Sequence, residues 1–200
     1  TLQTRASSTN HTCCTPEQPM SFVLALALGI SSGMNPYVTV AITMIVAERS
    51  DLLKISLPDP ISANTVLVAA LILLPLDIFG DKFPSTGRLV DRIGWIVKPI
   101  TGAILGGIVL GTSGAGIAIG ISIGAFAGLL TYGLRLRVRE RIQERMLGFG
   151  RIVIGAYGDF GSGIITMVAI LSPPAGLTIA MGMIGLALFA DNRWGQSQPV

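Results

Sequence analysis

The feature that most limits the fold of this chain is a series of six apolar segments. They cover residues 20–46, 62–80, 93–110, 114–134, 152–171 and 175–190. Most reach the ~17–25 residues with which an α-helix crosses a bilayer. Charged residues make up only 12% of the chain, whereas a soluble domain typically carries about 25%. We therefore predict an all-α fold: a polytopic transmembrane helix bundle of about six segments.

The sequence predicts one membrane domain between two polar tails. Residues 1–19 are rich in Ser and Thr and are expected to form a disordered tail, typical of the remnant of a targeting segment. Residues 20–190 form a single transmembrane domain, and residues 191–200 form a C-terminal tail. Cys13 and Cys14 are adjacent, so they cannot staple distant parts of a fold and imply no disulfide framework.

The first apolar segment is interrupted by the stretch GISSGMNPYVTV. Its Gly, Ser, Asn and Pro residues are poor helix formers, and proline removes a backbone hydrogen bond. We predict a discontinuous helix with halves at 22–30 and 36–47. Pro36 suits the first turn of the second half, and Asn35 or Ser32 can cap it. The alternative is a kink held in place by neighbouring helices.

The interruption and the nearby ionisable residues form a candidate binding site. Broken helices build the midplane sites of transporters, and ionisable groups inside apolar segments are functional suspects. Asp77 and Asp159 would lie toward one face, where a pair of carboxylates can carry a proton or bind a cation. For Asp81, Lys82 and Lys98, the alternative is a place near helix ends with mutual pairing. The candidate substrate- or ion-binding residues are Ser31, Ser32, Gly33, Asn35, Tyr37, Asp77, Asp81, Lys82 and Asp159.

Glycines recur every four residues in two neighbouring segments. Four residues are slightly more than one helical turn, so these glycines form a stripe on one face. Close backbone approach is what associates helices in lipid, and we predict a glycine-striped helical hairpin in the middle of the chain. The alternative is a groove lined by bare backbone. The packing glycines are Gly102, Gly106, Gly116, Gly120, Gly124 and Gly128.

Basic residues orient the bundle. Loop 135–151 carries six arginines and shares its face with loop 81–92, which predicts a cytoplasmic location for both. The Lys and Arg split is 12 against two if the first segment spans, and 11 against three if it is re-entrant. We expect it to span, with both termini inside. The arginine loop should extend the fourth helical segment and contact lipid or a partner through Arg135, Arg137, Arg139, Arg141 and Arg145.

Nothing in the sequence indicates catalysis. The single histidine, His11, lies in the polar tail, and no nucleophile–base pair or metal-ligand cluster is evident. We expect no enzyme activity, no cofactor, no metal site and no nucleic-acid binding. The expected partners are membrane lipids, together with further copies of the chain or a larger membrane complex.

Two stretches resemble a known family. SSGMNPYVTV and DKFPSTGRLVDRIGWIVKPITGAILGG are similar to the signature stretches of DUF4126, a bacterial membrane family of unknown function. The chain departs from that pattern in the Ser-Thr-Gly after Pro84 and in Lys98, which replaces an arginine. The resemblance implies a multi-span helical protein of the bacterial inner membrane and no particular reaction. The matching residues are Ser32, Gly33, Asn35, Tyr37, Asp81, Lys82, Pro84, Asp91, Lys98, Pro99, Gly102 and Ala103.

Two functions remain as hypotheses. The first is a small-solute or ion transporter or channel whose site lies at the interrupted helix. The second is a structural or accessory membrane subunit that docks lipid or a larger complex through its glycine faces and arginine helix.

Overall fold

The computed structural model describes residues 17–50, 53, 62–80, 84–111, 114–145 and 149–195. Every regular element in these ranges is an α-helix, as predicted. In chain order the helices are α1 (Glu17–Met34), α2 (Pro36–Arg49), α3 (Ala63–Gly80), α4 (Pro84–Val109), α5 (Gly114–Arg145), α6 (Phe149–Leu171) and α7 (Pro173–Gly195).

Several helices have the length and composition of membrane spans. Three stretches of the described chain qualify fully: Arg92–Val109, Gly114–Glu140 and Pro173–Arg193. Shorter apolar helices cover Pro19–Met34, Ala63–Pro75 and Gly155–Leu171. Large apolar side chains such as Phe160, which is 75% exposed, cover the outside of the bundle, as expected where lipid is the solvent.

The first apolar segment is a helical hairpin. In a straight helix, Ser31 and Thr39 would lie about 12 Å apart along the axis. Here their side-chain oxygens are 2.8 Å apart. Met44 likewise joins Leu24 and Leu28 in one apolar cluster. The chain therefore reverses at Asn35, and α2 runs back alongside α1.

The neighbours of the hairpin fix its direction. Along α1, Gly29 lies against Ala127 and Gly33 lies against Thr131, so α1 runs parallel to α5. We call the end of the bundle at which α5 reaches Arg145 the arginine end. Both Glu17 and Arg49 therefore lie toward the opposite end of the bundle. The expectation that the first segment spans, with both termini on one side, is wrong: the hairpin is re-entrant.

The tip of the hairpin lies inside the bundle. Asp159, which contacts the tip, is ten residues from the start of α6 at Phe149, a distance of about 15 Å along the helix. Met183 lines the same small cavity as Met34, and α7 continues beyond it to Gly195. The hairpin thus stops short of the arginine end.

Glycines bring α4 and α5 together. A Cβ atom added to Gly102 would clash with the backbone carbonyl of Gly124, and the same holds between Gly106 and Gly120. Gly128 lies against the Lys98 carbonyl. Gly116 is half-buried on α5. At Gly102, Gly106, Gly120 and Gly124 the two backbones approach so closely that only hydrogen fits.

Helix ends extend beyond the predicted boundaries. α1 begins at Glu17, so the last three residues of the predicted 1–19 tail are helical; residues 1–16 lie outside the described part of the chain. α7 continues to Gly195, which makes helix of half the predicted 191–200 tail. α5 runs unbroken to Arg145, so the predicted extension into the arginine loop is confirmed.

Candidate functional site

The tip of the hairpin is a one-residue break. Asn35 has an extended backbone (φ −143°, ψ 107°), and its Oδ1 accepts hydrogen bonds from the N–H groups of Tyr37 (3.0 Å) and Val38 (3.1 Å). Pro36 follows at the first helical position, where its missing N–H costs nothing. The predicted cap and the discontinuous helix are confirmed. The break is narrower than expected, because Ser31, Ser32 and Gly33 all belong to α1.

The same Asn35 side chain joins the tip to α6. Its Nδ2 donates to Oδ1 of Asp159 across 2.7 Å. Asn35 is fully buried and Asp159 is partly buried. Bonds of this kind, in which one partner carries charge, are among the stronger hydrogen bonds in proteins. The carboxylate of Asp159 therefore lies next to the start of α2, where the helix dipole favours negative charge.

The carbonyl of Met34 forms the other half of the tip. Because Asn35 leaves helical geometry and its side chain takes the Val38 N–H, the Met34 carbonyl does not gain its usual helix partner. Lys98 donates to this oxygen from α4 (Nζ to O, 3.3 Å), and Arg135 donates to it from α5. The Lys98 ammonium also lies 4.3 Å from the ring centroid of Tyr132, a favourable cation–π distance.

Opposite charges therefore meet the two helix ends at the tip. The C-terminal end of a helix carries partial negative charge and the N-terminal end partial positive charge. Lys98 and Arg135 lie on the carbonyl end of α1, and Asp159 lies by the amide end of α2. The arrangement lets charged groups sit at membrane depth where each of them has a partner.

Beneath the tip, buried hydroxyl groups connect three helices. Ser31 on α1 contacts Thr39 on α2 (2.8 Å) and Thr166 on α6 (2.7 Å), oxygen to oxygen. Its hydroxyl also donates to the Ser162 carbonyl at 2.9 Å. All four residues have no exposed surface. The hairpin is thus fixed to α6 by polar contacts rather than by apolar packing alone.

A small cavity adjoins the tip on the side of the arginine end. Its volume is about 40 Å³, and its surface is almost entirely apolar. Arg135, Thr131 and Tyr157 border it but present almost no polar surface to it, and Met34 forms one wall. The remaining lining is apolar and comes from α5, α6 and α7.

The other predicted site residues that the structure describes make different contacts. Ser32 donates to the carbonyl of Gly29 at 2.8 Å, and Gly33 packs against Gly128. Tyr37 is half-buried and lies close enough to the buried Asp77 for an electrostatic interaction. Asp81 and Lys82 lie outside the described residues.

Two of the predicted lipid-facing arginines point inward. Arg139 is only 8% exposed, and Arg135 reaches the Met34 carbonyl. The physical reason is their spacing, because both continue the buried face of Ala127 and Thr131 at four-residue steps. Arg137 is exposed, as a lipid or partner contact requires. The side chains of Arg141 and Arg145 lie outside the described residues.

Sequence reasoning missed several residues of the site. Lys98 was not among the candidate site residues, but it is buried at the tip. The hydroxyl residues carried a signal that periodicity reveals. Ser31, Asn35, Thr39 and Thr43 follow each other at intervals of four, and so do Ser162 and Thr166. Polar residues at helical spacing inside an apolar segment indicate a buried polar face.

Within the described residues, no group of three or more His, Cys, Asp or Glu side chains is arranged to hold a metal ion. The arrangement of the tip is one of neutral oxygens, one amide and paired charges. Such a set can bind a small ion or a polar solute, and it offers hydrogen bonds to either.

Comparison with known proteins places the chain in a family. The family model described as a domain of unknown function, DUF4126, matches residues 22–193. No curated protein and no solved structure matches the chain. The matched region runs from the second turn of α1 nearly to the end of α7, and so includes the tip of the hairpin and almost all of every helix that contacts it. The chain belongs to the DUF4126 family.

Proposed function

We propose that this protein is a small-solute or ion transporter or channel whose binding site lies at the tip of the α1–α2 hairpin. One observation carries the proposal: a re-entrant hairpin ends inside the bundle, and charged groups from three other helices meet its broken backbone. Non-helical backbone at membrane depth is tolerated where it is enclosed by protein or lines a cavity. In transporters such half-helix ends bind substrate and coupling ions.

The charges at the tip support this function over a purely structural one. Burying ion pairs in a low-dielectric interior contributes little net stability, and apolar residues of similar size often serve better. Lys98 and Arg135 share one carbonyl oxygen. A solute with an acceptor group can accept a hydrogen bond from either Lys98 or Arg135, while the other side chain continues to donate to the Met34 carbonyl. Solute binding and release then leave this carbonyl with a hydrogen-bond donor.

An accessory role is the alternative. Its proposed docking surface is weakened by the packing of α4 on α5, since Gly102, Gly106, Gly120 and Gly124 contact each other within the chain. A partner would have to use the outer surface, for example the exposed Leu186 and Phe189 of α7. Lipid covers such a surface equally well.

We further propose that the arginine end faces the cytoplasm of a bacterial inner membrane. The exposed Arg137 and the basic sequence beyond it support this orientation. With this orientation the cavity lies on the cytoplasmic side of the tip, and the hairpin enters the membrane from the other side.

Proteoliposomes test the proposed function. Vesicles containing the protein and entrapped dyes for H⁺, Na⁺, K⁺ or Cl⁻ are given a gradient of each ion in turn. We expect flux of at least one ion in the wild type and in Glu48→Gln, an exposed carboxylate on α2. Asp159→Asn should lower the initial rate by roughly tenfold or more, since a hydrogen bond to a charged group contributes about 1.5–3 kcal/mol.

Two outcomes would contradict the proposal. One is the lack of protein-dependent flux of any of these ions and of small neutral solutes, followed by light scattering from the same vesicles, while circular dichroism shows a folded protein. The other is equal flux in Asp159→Asn and Glu48→Gln. Recovery of the protein at fixed stoichiometry with other subunits, together with either outcome, would favour the accessory role.

A further inference from the structure

Asp159 is an ionisable side chain at membrane depth whose hydrogen-bond partner is neutral. Its carboxylate accepts one bond, from Nδ2 of Asn35 across 2.7 Å. Among the described residues no cation pairs with this carboxylate, and Lys98 and Arg135 donate to the Met34 carbonyl. Ionisable groups at this depth are costly, and they commonly belong to proton pathways. The position of Asp159 is therefore better explained by a function than by packing.

The cap of α2 fixes the orientation of the Asn35 amide. Its Oδ1 accepts from the N–H groups of Tyr37 and Val38, so this atom must be the oxygen. The amide nitrogen therefore faces Asp159, and an N–H donor requires an acceptor oxygen opposite it. The described residues supply no hydrogen bond to the second carboxylate oxygen, Oδ2, and Asp159 is partly exposed. A proton can thus add to Oδ2 while Oδ1 keeps its bond.

The surroundings of this carboxylate suit a proton better than a metal cation. The group in contact with Oδ1 is an N–H donor, and the amide end of α2 carries partial positive charge. The guanidinium of Arg135 lies against Gly158, the residue before Asp159. A metal cation binds several oxygen ligands at once, and donor groups of this kind cannot serve as ligands. A proton forms one O–H bond and needs no further ligand.

We propose that Asp159 is the site at which this protein binds a proton, and that its protonation loosens the tip of the hairpin from α6. The proposal rests on the proposed function and deepens it, since it names H⁺ as the ion that the transporter binds. A proton from water on one side of the membrane adds to Oδ2 and gives a neutral carboxylic acid. The same O–H bond breaks when the proton leaves to the other side, so no co-reactant is needed.

Protonation changes the bond that holds the tip. A hydrogen bond to an ionised group is about twice as strong as one between neutral groups. The neutral acid still offers a carbonyl oxygen to the Asn35 amide, but it loses this extra strength and its attraction to the amide end of α2. Ser31 also bonds the hairpin to α6, through Thr166 and the Ser162 carbonyl, and these groups do not ionise. Of the described polar contacts between hairpin and α6, pH therefore acts on the bond of Asp159.

Other ionisable groups lie near the tip and must be separated from Asp159. They come from five helices: Tyr37 on α2, Asp77 on α3, Lys98 on α4, Arg135 on α5 and Tyr157 on α6. The residues of α1 after Glu17 and of α7 before Asp191 include no ionisable side chain. Asp77 is the other carboxylate of this set, and its replacement therefore supplies the control.

Electron paramagnetic resonance of a spin label tests the site without any flux. In a Cys13→Ala and Cys14→Ala background, the label is attached at Val38→Cys, which faces Gly163 of α6, or at the exposed Glu48→Cys near the other end of α2. The protein in nanodiscs is titrated from about pH 8 to about pH 4, which reaches the usual range of carboxyl groups. We expect acid to raise the mobility of the label at position 38 by about twofold or more, since the bond loses about half its strength. The label at position 48 should not respond.

Matched variants assign the response to one carboxylate. Asp159→Asn has nearly the shape of the protonated acid and cannot ionise, so the label at position 38 should be mobile at every pH. Asp159→Glu keeps a carboxyl group and should keep the response, and so should Asp77→Asn. If Asp159→Asn does not fold, Asp159→Ser answers the same question. If the label at position 38 disturbs folding, the half-buried Tyr37→Cys takes its place.

The site is overturned if the label at position 38 does not respond to pH in the wild type, or if Asp159→Asn responds as the wild type does. This failure is distinct from failure of the proposed function. A pH response that depends on Asp159, without flux of any ion or neutral solute, would contradict transport and keep the site. Flux that requires Asp159 but is unchanged by an imposed pH gradient, with no pH response at the tip, would contradict the site and keep transport.

Discussion

Asn35 and Asp159 are joined by a hydrogen bond of 2.7 Å between Nδ2 and Oδ1, although 124 residues separate them in the chain. The other atom of the same amide group, Oδ1 of Asn35, caps α2 through Tyr37 and Val38. One side chain therefore caps α2 at the tip of the hairpin and also bonds the tip to α6. Mutation can separate the cap from the bond to α6.

We predict that Asn35→Ala lowers the free energy of unfolding by about 2–4 kcal/mol, since it removes a helix cap and a bond to a charged group. Thermal unfolding in detergent measures the loss, and a double-mutant cycle with Asp159→Asn isolates the bond. Asn64→Ala on α3, where the side chain is exposed, is the control. Strict additivity of the two changes would contradict the bond.

The two cations on the Met34 carbonyl should act as substitutes for each other. Lys98→Met or Arg135→Leu alone leaves one donor on this oxygen, and each should cost about 1–3 kcal/mol. The double variant should cost more than the sum, because it leaves a bare carbonyl at membrane depth. Unfolding of the four proteins measures this coupling. Arg137→Leu, an exposed neighbour on α5, should change stability little; a double variant that equals the sum would count against the shared oxygen.

The close approach of α4 and α5 predicts that replacing a glycine between these helices destabilises the protein far more than replacing an open glycine on α7. Gly124→Leu drives a side chain into the backbone of Gly102, whereas Gly182 has nothing within 4 Å. Overpacking of this kind costs about 1–3 kcal/mol or more. We expect a clear loss of folded protein on size exclusion and a lower melting temperature for Gly124→Leu, with Gly182→Leu close to wild type. Equal behaviour of the two variants would show that the helices separate easily.

The re-entrant hairpin makes a topological prediction. In a background of Cys13→Ala and Cys14→Ala, single cysteines are introduced as Met20→Cys, Arg49→Cys and Arg137→Cys, all at exposed positions. A membrane-impermeant maleimide should label the first two from the same side of sealed vesicles and the third from the other. Labelling of Met20→Cys together with Arg137→Cys, and not with Arg49→Cys, is the pattern of a spanning first segment.

Local signals in the sequence predicted the helical membrane bundle and the place of its break. The apolar segments, the poor helix formers around Asn35 and the four-residue glycine intervals each act within one or two turns. The cap at Asn35 and the extension of α5 to Arg145 follow from the same kind of signal. Such features depend on residues that are close in the sequence. They can therefore be predicted without knowing which distant residues pack against them.

The reversal at Asn35 could not be predicted in this way. A spanning and a re-entrant first segment differ by the placement of one basic residue, Arg5. What decides between them is contact between distant residues, such as Ser31 with Thr166. The inward turn of Lys98 and Arg135 depends likewise on the Met34 carbonyl. A long basic side chain near a helix end can otherwise extend to the interface, and only the position of an acceptor settles its direction.

The contacts of the hairpin with α6 can form only late in synthesis of the chain. Ser31 finds its partner Thr166 only after 135 further residues have been made, which takes about 7–27 s at ordinary rates of synthesis. During that interval the buried amide and hydroxyl groups of α1 and α2 have no α6 to bond with, and water or the insertion machinery must serve them instead. The hairpin therefore precedes the other described helices in synthesis, but its polar contacts with α6 form only after α6 has been made. Its insertion depends on a helix that begins at Phe149.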